Sequence, residues 1–167
     1  TTTNAPERGV IEGVNMVLAD ARIAASEVGS FIHGTTLATN SLIERKGAAT
    51  AFITTEGFRD VIEQGYEKRF DHYDLMIDRA EPLVPRHLRL TIRERLAANG
   101  DVLIELDEAA VVAIANSIIA ENITAVAIGF LHSYAHDRHE RRVAELLRKL
   151  LPGHVTICLS CEVAPEI

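Results

Sequence analysis

A chain of 167 residues with 47% hydrophobic and 25% charged side chains has the composition of an ordered globular protein, which excludes intrinsic disorder. Its 17 Lys and Arg stand against 24 Asp and Glu, and the net charge of −7 argues against nucleic acid as a main partner, because phosphate backbones are held chiefly by basic side chains. No window nears the roughly 18 apolar residues of a membrane span and no secretory leader is visible, so a cytoplasmic protein without a membrane partner is expected.

In chain order, "APERGVIEGVNMVLADARI" predicts a helix with Asn4 as N-cap and Pro6 in the first turn, because Val10, Ile11, Val14, Val17 and Leu18 recur at helical spacing. "VGSFIHG" reads as a short buried strand, and "ATNSLIERKG" as a helix ended by Gly47, with Arg45 and Lys46 placed where the helix dipole favours cations. "AATAFITT" predicts a second buried strand and "EGFRDVIEQG" a short helix closed by Gly65. Tight links between alternating strands and helices indicate parallel strands in an α/β layer.

Residues 66–85, "YEKRFDHYDLMIDRAEPLVP", lose any clear period and end in two prolines; an irregular stretch of this length points to a functional or a disordered segment, and its aromatic content to an ordered one. "RLTIRERLAANGDVLIELD" predicts a hairpin turning at Asn99 and Gly100, with Leu90, Ile92, Glu94 and Leu96 alternating imperfectly along its first arm. Asp107 caps the next predicted helix. A buried strand "ITAVAIGFL", an amphipathic helix "DRHERRVAELLRKLLPG" and a last strand "HVTICLSCEV" complete the pattern. The expected organisation is an α/β layer over residues 1–65, a linking segment over 66–85 and a second α/β subdomain over 86–167. Cys158 and Cys161 lie three apart on the last strand, hence on opposite faces, and are expected as reduced, buried thiols.

Two strand ends carry small hydroxyl residues. In "HGTTLATN", Gly34 permits close backbone approach, Thr35 and Thr36 offer hydroxyls and Asn40 an amide. At the carboxyl ends of parallel strands such groups suit an anionic ligand. The competing explanation is that Thr36 or Thr39 simply caps the following helix. No Walker loop occurs. His33 is by default a structural histidine. "TTEGF" repeats the logic at the second strand end. "YEKRFDHYD" gathers charges and aromatics that could hold a small polar substrate, with Arg69 as an anion fork, or could form a solvated loop. His132, His136 and His139 lack the partner and firm spacing of a zinc site, and capping by Asp137 or Ser133 explains that region better.

The stretches "FIHGTTLATNSLIERKGAATAFITTEGFRDVIEQGYEKRFDHYDL", "PLVPRHLRLTIRERLAANGDVLIELDE" and "AVAIGFLHSYAHDRHERRVAELL" resemble the hydantoinase A/5-oxoprolinase family, which includes nucleotide-binding subunits of acetone and acetophenone carboxylases. The resemblance implies an actin/hexokinase-like (ribonuclease H-like) partial domain with a second α/β subdomain. It implies an enzyme using ATP and Mg²⁺ to phosphorylate an oxygen of a cyclic amide, or of a ketone to be carboxylated. Gly34, Thr35, Thr36 and Asn40 would line the nucleotide cleft, and His33, Tyr66 and Arg69 would face the substrate; no catalytic residue is assigned. The rest of the polypeptide and a B-type partner subunit are the implied partners. The family's glycine-rich "DxGGTFTD"-type hairpin is missing, so the chain is expected to be a fragment that binds ATP weakly and is inactive alone. Rival readings are a non-enzymatic α/β interaction module and a small metal-dependent hydrolase.

Overall fold

The computed structural model describes residues 6–34, 36–64, 73, 76 and 81–166. They fall into two compact units, Thr1–Asn40 and Ser41–Ile167. In the first, helix α1 (Pro6–Ala21) carries a half-buried stripe of Val10, Val14 and Leu18, one helical turn apart. It closes with a left-handed Arg22 (φ 57°), where the Arg22 N–H bonds Ala19 O at 3.2 Å and the Ile23 N–H bonds Leu18 O at 3.0 Å. This is the Schellman arrangement that satisfies the last carbonyls.

Residues 28–34, expected as a buried strand, form none; Phe31 is 59% and Ile32 93% exposed. A strand needs ladder partners for its N–H and C=O groups, and apolar content cannot supply them. Helix α2 (Leu37–Ile43) starts where the Thr36 carbonyl accepts the Asn40 N–H at 2.8 Å, which gives Thr36 the N-cap position. It stops short of the expected Gly47. Arg45 turns left-handed (φ 55°) and the Lys46 N–H bonds Ser41 O at 3.0 Å, so the orphan carbonyls are satisfied earlier.

The second unit is built on four parallel strands in the order β2–β1–β5–β6: β1 (Thr50–Thr55), β2 (Arg89–Ile92), β5 (Ala125–Gly129) and β6 (Thr156–Leu159). The α/β class with mostly parallel strands is therefore present. The expectation of one β layer on each side of residues 66–85 is not met. β1 comes from before that segment and is one of the two inner strands of a sheet whose other members follow it. A lone strand has no ladder, and β1 finds its partners only downstream. The linking segment itself lies largely outside the described residues.

Helices α3 (Glu108–Ala120) and α4 (Arg138–Leu150) place Val111, Ile118, Val143 and Leu147 in one core with Ala51, Ile53, Val126 and Ile128 of the alternating strand positions. Asp107 caps α3 as predicted, accepting the Ala110 N–H at 3.2 Å. Asp137 occupies the N-cap position of α4 but spends its carboxylate on Arg141 Nε at 2.5 Å.

The predicted hairpin is present as β3 (Arg95–Leu96) against β4 (Val102–Ile104). Its first arm is shorter than expected, because the fully buried Ile92 commits β2 to the parallel sheet and only Arg95–Leu96 turns back. Gly100 is required at the turn: its φ is 92°, and a Cβ there would lie 2.8 Å from the His136 ring. The helix expected after β1 reduces to one 3-10 turn, Val61–Glu63. The last strand ends at Leu159, and Ser160–Val163 form a helical turn, α5. Cys161 therefore lies off the strand, and Cys158 is exposed rather than buried.

Candidate functional site

From β1 the chain moves outward to β2 and then returns across β1 to form β5, so the switch in winding direction lies between β1 and β5. In open parallel sheets ligands bind outside the carboxyl ends of the strands at such a point. Here the two strand ends are followed by residues 56–60 and 130–133.

Thr55, at the end of β1, is 2% exposed, and its hydroxyl donates to Glu94 Oε1 while accepting the Leu131 N–H at 3.2 Å. Glu94 Oε2 pairs with His139 Nδ1 at 2.7 Å; the Glu94 side chain has no exposed surface and that of His139 only 8%. Three separate segments thus meet in one buried polar chain: the end of β1, the bend between β2 and β3, and the first turn of α4.

Beside it, the buried Glu140 Oε1 accepts the Phe130 N–H at 3.1 Å and the Ser160 hydroxyl at 2.6 Å, and its Oε2 accepts the Cys161 N–H at 3.0 Å. Because Ser160 donates to Glu140, Ser133 must donate across their 2.9 Å contact. These bonds explain why β6 gives way to a helical turn at Ser160. Among the described residues no buried side-chain nitrogen or oxygen lacks a partner, which a dry interior demands.

Two cavities open at this end of the sheet. One of about 560 Å³ runs along Glu56–Val61 with Gln64, Arg86, Thr91 and Leu131. A second of about 210 Å³ is bounded by Thr55, Glu56, Arg93, Glu94, Arg95 and Ile104. Gly57, at φ 89°, makes the turn between them. In the larger groove Asp60 is committed: Arg86 grips it through Nε and Nη2 at 3.1 and 3.0 Å, and Arg89 Nη1 adds a contact at 3.2 Å. The Arg86 hydrogen bond holds the Asp60 carboxyl below its usual range. Arg89 is 2% exposed and also bonds Glu63 Oε1 at 2.6 Å and Val84 O at 2.9 Å. This cluster ties the start of the β1–β2 connection to its end, so Asp60 is not a free base.

Of the residues singled out from sequence, His33, Gly34, Thr36 and Asn40 lie exposed in the first unit. His33 stacks on Phe31, with ring centroids 6.3 Å apart. Thr35, Tyr66 and Arg69 lie outside the described residues. The second hydroxyl cluster divides its roles: Thr55 enters the buried chain, and Glu56 and Gly57 reach the cavities. Of the three histidines, His139 pairs with Glu94, His136 lies against Gly100, and His132 sits left-handed (φ 63°) in a turn with its ring edge to Tyr134. Among the described residues no three His, Cys, Asp or Glu side chains converge as a metal site. No described helix is long and apolar enough to cross a membrane.

Glu94 and Glu140 were not foreseen as centres of this network, yet both left a signal. Glu94 interrupts the alternation Leu90, Ile92, Leu96 on an inward-facing register, and Glu140 shares a helical face with Val143, Ala144 and Leu147. A carboxylate on an apolar face must find buried partners.

Cys161 shows how the network bears on reactivity. Burial, with the Glu140 carboxylate adding to it, pushes its thiol up to about 12 from 9.0. The nucleophilic form of a thiol is the thiolate. Iodoacetamide at about pH 8 should therefore alkylate the exposed Cys158 and spare Cys161 in the folded chain; peptide mass mapping showing equal labelling would contradict this. The sign of the shift also means that stability from this group is complete below its unfolded value of 9.0 and is lost as pH rises toward about 12.

A helix-covered parallel sheet with polar grooves at its switch point defines an α/β fold. The chain belongs to the family described as the hydantoinase/oxoprolinase N-terminal region, whose pattern matches residues 1–151. Relatives include an uncharacterised protein of Methanocaldococcus jannaschii, 35% identical over 99% of this chain and 24% of its own length. The caprolactamase alpha subunit of Pseudomonas jessenii is 38% identical over 81% of this chain and 20% of its own, and the Saccharomyces cerevisiae 5-oxoprolinase is 35% identical over 85% and 13%. The crystal structure of the ATP-dependent caprolactamase of P. jessenii covers all of this chain with a TM-score of 0.81 at 31% identity, using 24% of that chain. An acetone carboxylase structure shares the fold, with a TM-score of 0.73 at 24% identity over 90% of this chain and 23% of its own. The chain thus spans about a quarter or less of the length of these relatives.

Proposed function

We propose that this chain is part of an ATP-dependent enzyme that opens a cyclic amide by phosphorylating the amide oxygen. The observation that carries this reading is the match, along its entire length, to a caprolactamase described as ATP-dependent, at 31% identity. The 35% identity to a 5-oxoprolinase supports the same substrate class. The chemistry explains the use of ATP. An amide carbonyl is a weak electrophile; transfer of the γ-phosphoryl group to its oxygen, with ADP leaving, activates the carbon. Water then adds, the ring C–N bond breaks with a proton passing to nitrogen, and a second water releases phosphate from the resulting acyl phosphate. The phosphoryl transfer depends mostly on positioning and on neutralising charge.

Gly34, Thr35, Thr36 and Asn40 are the part of this chain that we assign to the nucleotide, and His33, Tyr66 and Arg69 to the substrate. The described carboxylates do not gather into a magnesium site. The enzyme would work in the cytoplasm with the remainder of its polypeptide and a B-type subunit, since two relatives are named as subunits.

A carboxylase reading rests on the acetophenone carboxylase gamma subunit of Aromatoleum aromaticum, 29% identical over 81% of this chain. Both solved structures match the fold, but the caprolactamase does so at the higher identity, over more of the chain and with the higher TM-score.

The site assignment is tested by Thr36→Val in the full chain. Loss of the hydroxyl should reduce ATP-dependent ring opening per folded molecule well beyond any change in thermal unfolding. A residue that only caps α2 would lose about 1 kcal/mol of stability and leave turnover intact. In the same assay Arg69→Lys, which removes a planar fork but keeps the charge, should raise the KM for the cyclic amide and leave that for ATP unchanged. An unchanged substrate KM would return that segment to the solvated loop.

A further inference from the structure

We propose that the cavity of about 210 Å³ beneath the turn after β1 is an oxyanion subsite, with Arg93 and Arg95 as its cationic wall, for a phosphate or carboxylate group of a small ligand. Three arginines near this end of the sheet are already spent on carboxylates: Arg86 and Arg89 on Asp60, Arg141 on Asp137 and Glu162. Arg93 and Arg95 make no ion pair among the described residues, although both line the cavity. Arg95 is held over the Phe58 ring at 5.1 Å, a contact that orders the guanidinium without consuming its N–H groups.

Glu94, between them, does not cancel their charge. Its two oxygens face inward onto Thr55 and His139, which leaves Glu56 as the one carboxylate of the lining without such a partner. Two guanidiniums against one exposed carboxylate favour an anion, and their planar donor forks suit an oxyanion's geometry. The cavity also lies at the carboxyl end of β1, beside the switch between β1 and β5, where the sheet's winding favours ligand binding. This inference goes beyond the proposed activity, since binding of an oxyanion would stand even if no ring were opened.

The test is calorimetric titration of the full chain with inorganic phosphate, with 5-oxoproline and with 2-pyrrolidinone, the same ring without the carboxylate. The variants are Arg93→Gln, Arg95→Gln and the pair together, with Arg148→Gln, exposed on α4 and outside the cavity, as control. Circular dichroism establishes that each variant is folded. Losing a charge-assisted bond should weaken binding roughly ten-fold or more in each single variant, and further in the double one, with the control unchanged. Binding of phosphate identifies a phosphoryl group as a ligand, and binding of 5-oxoproline but not 2-pyrrolidinone identifies a substrate carboxylate; either result supports the subsite. Absence of binding by both anions, affinity unchanged in the double variant, or an equal loss in the control would overturn it.

Discussion

Glu94→Ala should lower the unfolding free energy of the full chain by about 3–5 kcal/mol, the usual consequence of removing one partner from a buried pair. The side chain has no exposed surface, and it receives both the Thr55 hydroxyl and His139. Truncation leaves the Thr55 hydroxyl proton without an acceptor and His139 Nδ1 without its partner, and opens a void where the carboxylate stood. It also releases the bend between β2 and β3 from the end of β1, so the effect should propagate to the cavity lined by Thr55 and Arg95. Urea unfolding should show a lower midpoint with an unchanged slope, which separates lost stability from altered compactness. Replacing the pair together, as Glu94→Leu with His139→Phe, should recover much of the loss, because an apolar pair demands no desolvation of charge. A midpoint shift no larger than that of Glu44→Ala, which removes an exposed pair with Lys46, would show that the buried chain contributes little.

The second large effect is expected at Glu140. Its carboxylate is the acceptor for two backbone N–H groups, of Phe130 and Cys161, and for the Ser160 hydroxyl, with 1% of the residue exposed. Glu140→Ala strands the two amides in the interior at about 1–3 kcal/mol for each unsatisfied group. Glu140→Gln should rescue only part of this, since its NH₂ group confronts one of the donors it ought to accept from. Hydrogen exchange locates the damage: protection should fall at the Phe130 and Cys161 amides ahead of Ile53 in the centre of β1. Equal protection loss at all three would mean that Glu140 supports the whole fold rather than the turn after β5 and the turn of α5.

How much of this was legible in the sequence depends on how local the cause was. β1, β5, α3 and α4 could be read because their apolar spacing is local, and Asp107 because a cap acts within one turn. The strand expected at 28–34 could not be judged that way, since a strand is made by its neighbours, and Phe31 and Ile32 have none among the described residues. The same reason hides the place of β1 as an inner strand of the sheet. The hairpin turn at Asn99 and Gly100 was visible in its residue types, but the departure of β2 into the parallel sheet was not, because the deciding contact is with a strand more than thirty residues earlier. At the site, the hydroxyl at Thr55 is legible in "TTEGF", whereas its partner Glu94 sits 39 residues away and His139, which pairs with Glu94, 84 residues away. The misplaced polar residue on an apolar face was the one clue to them.

ATP turnover by the full chain, with its partner subunit if one is required, is the measurement closest to the proposed function. It should be followed with 5-oxoproline, with caprolactam, and with a ketone plus bicarbonate, counting ADP against product. The expected result is ADP formation that depends on a cyclic amide and matches the ring-opened product in amount. ADP formation with the ketone and bicarbonate alone, or at the same rate with no organic substrate, would contradict the assignment to cyclic-amide hydrolysis.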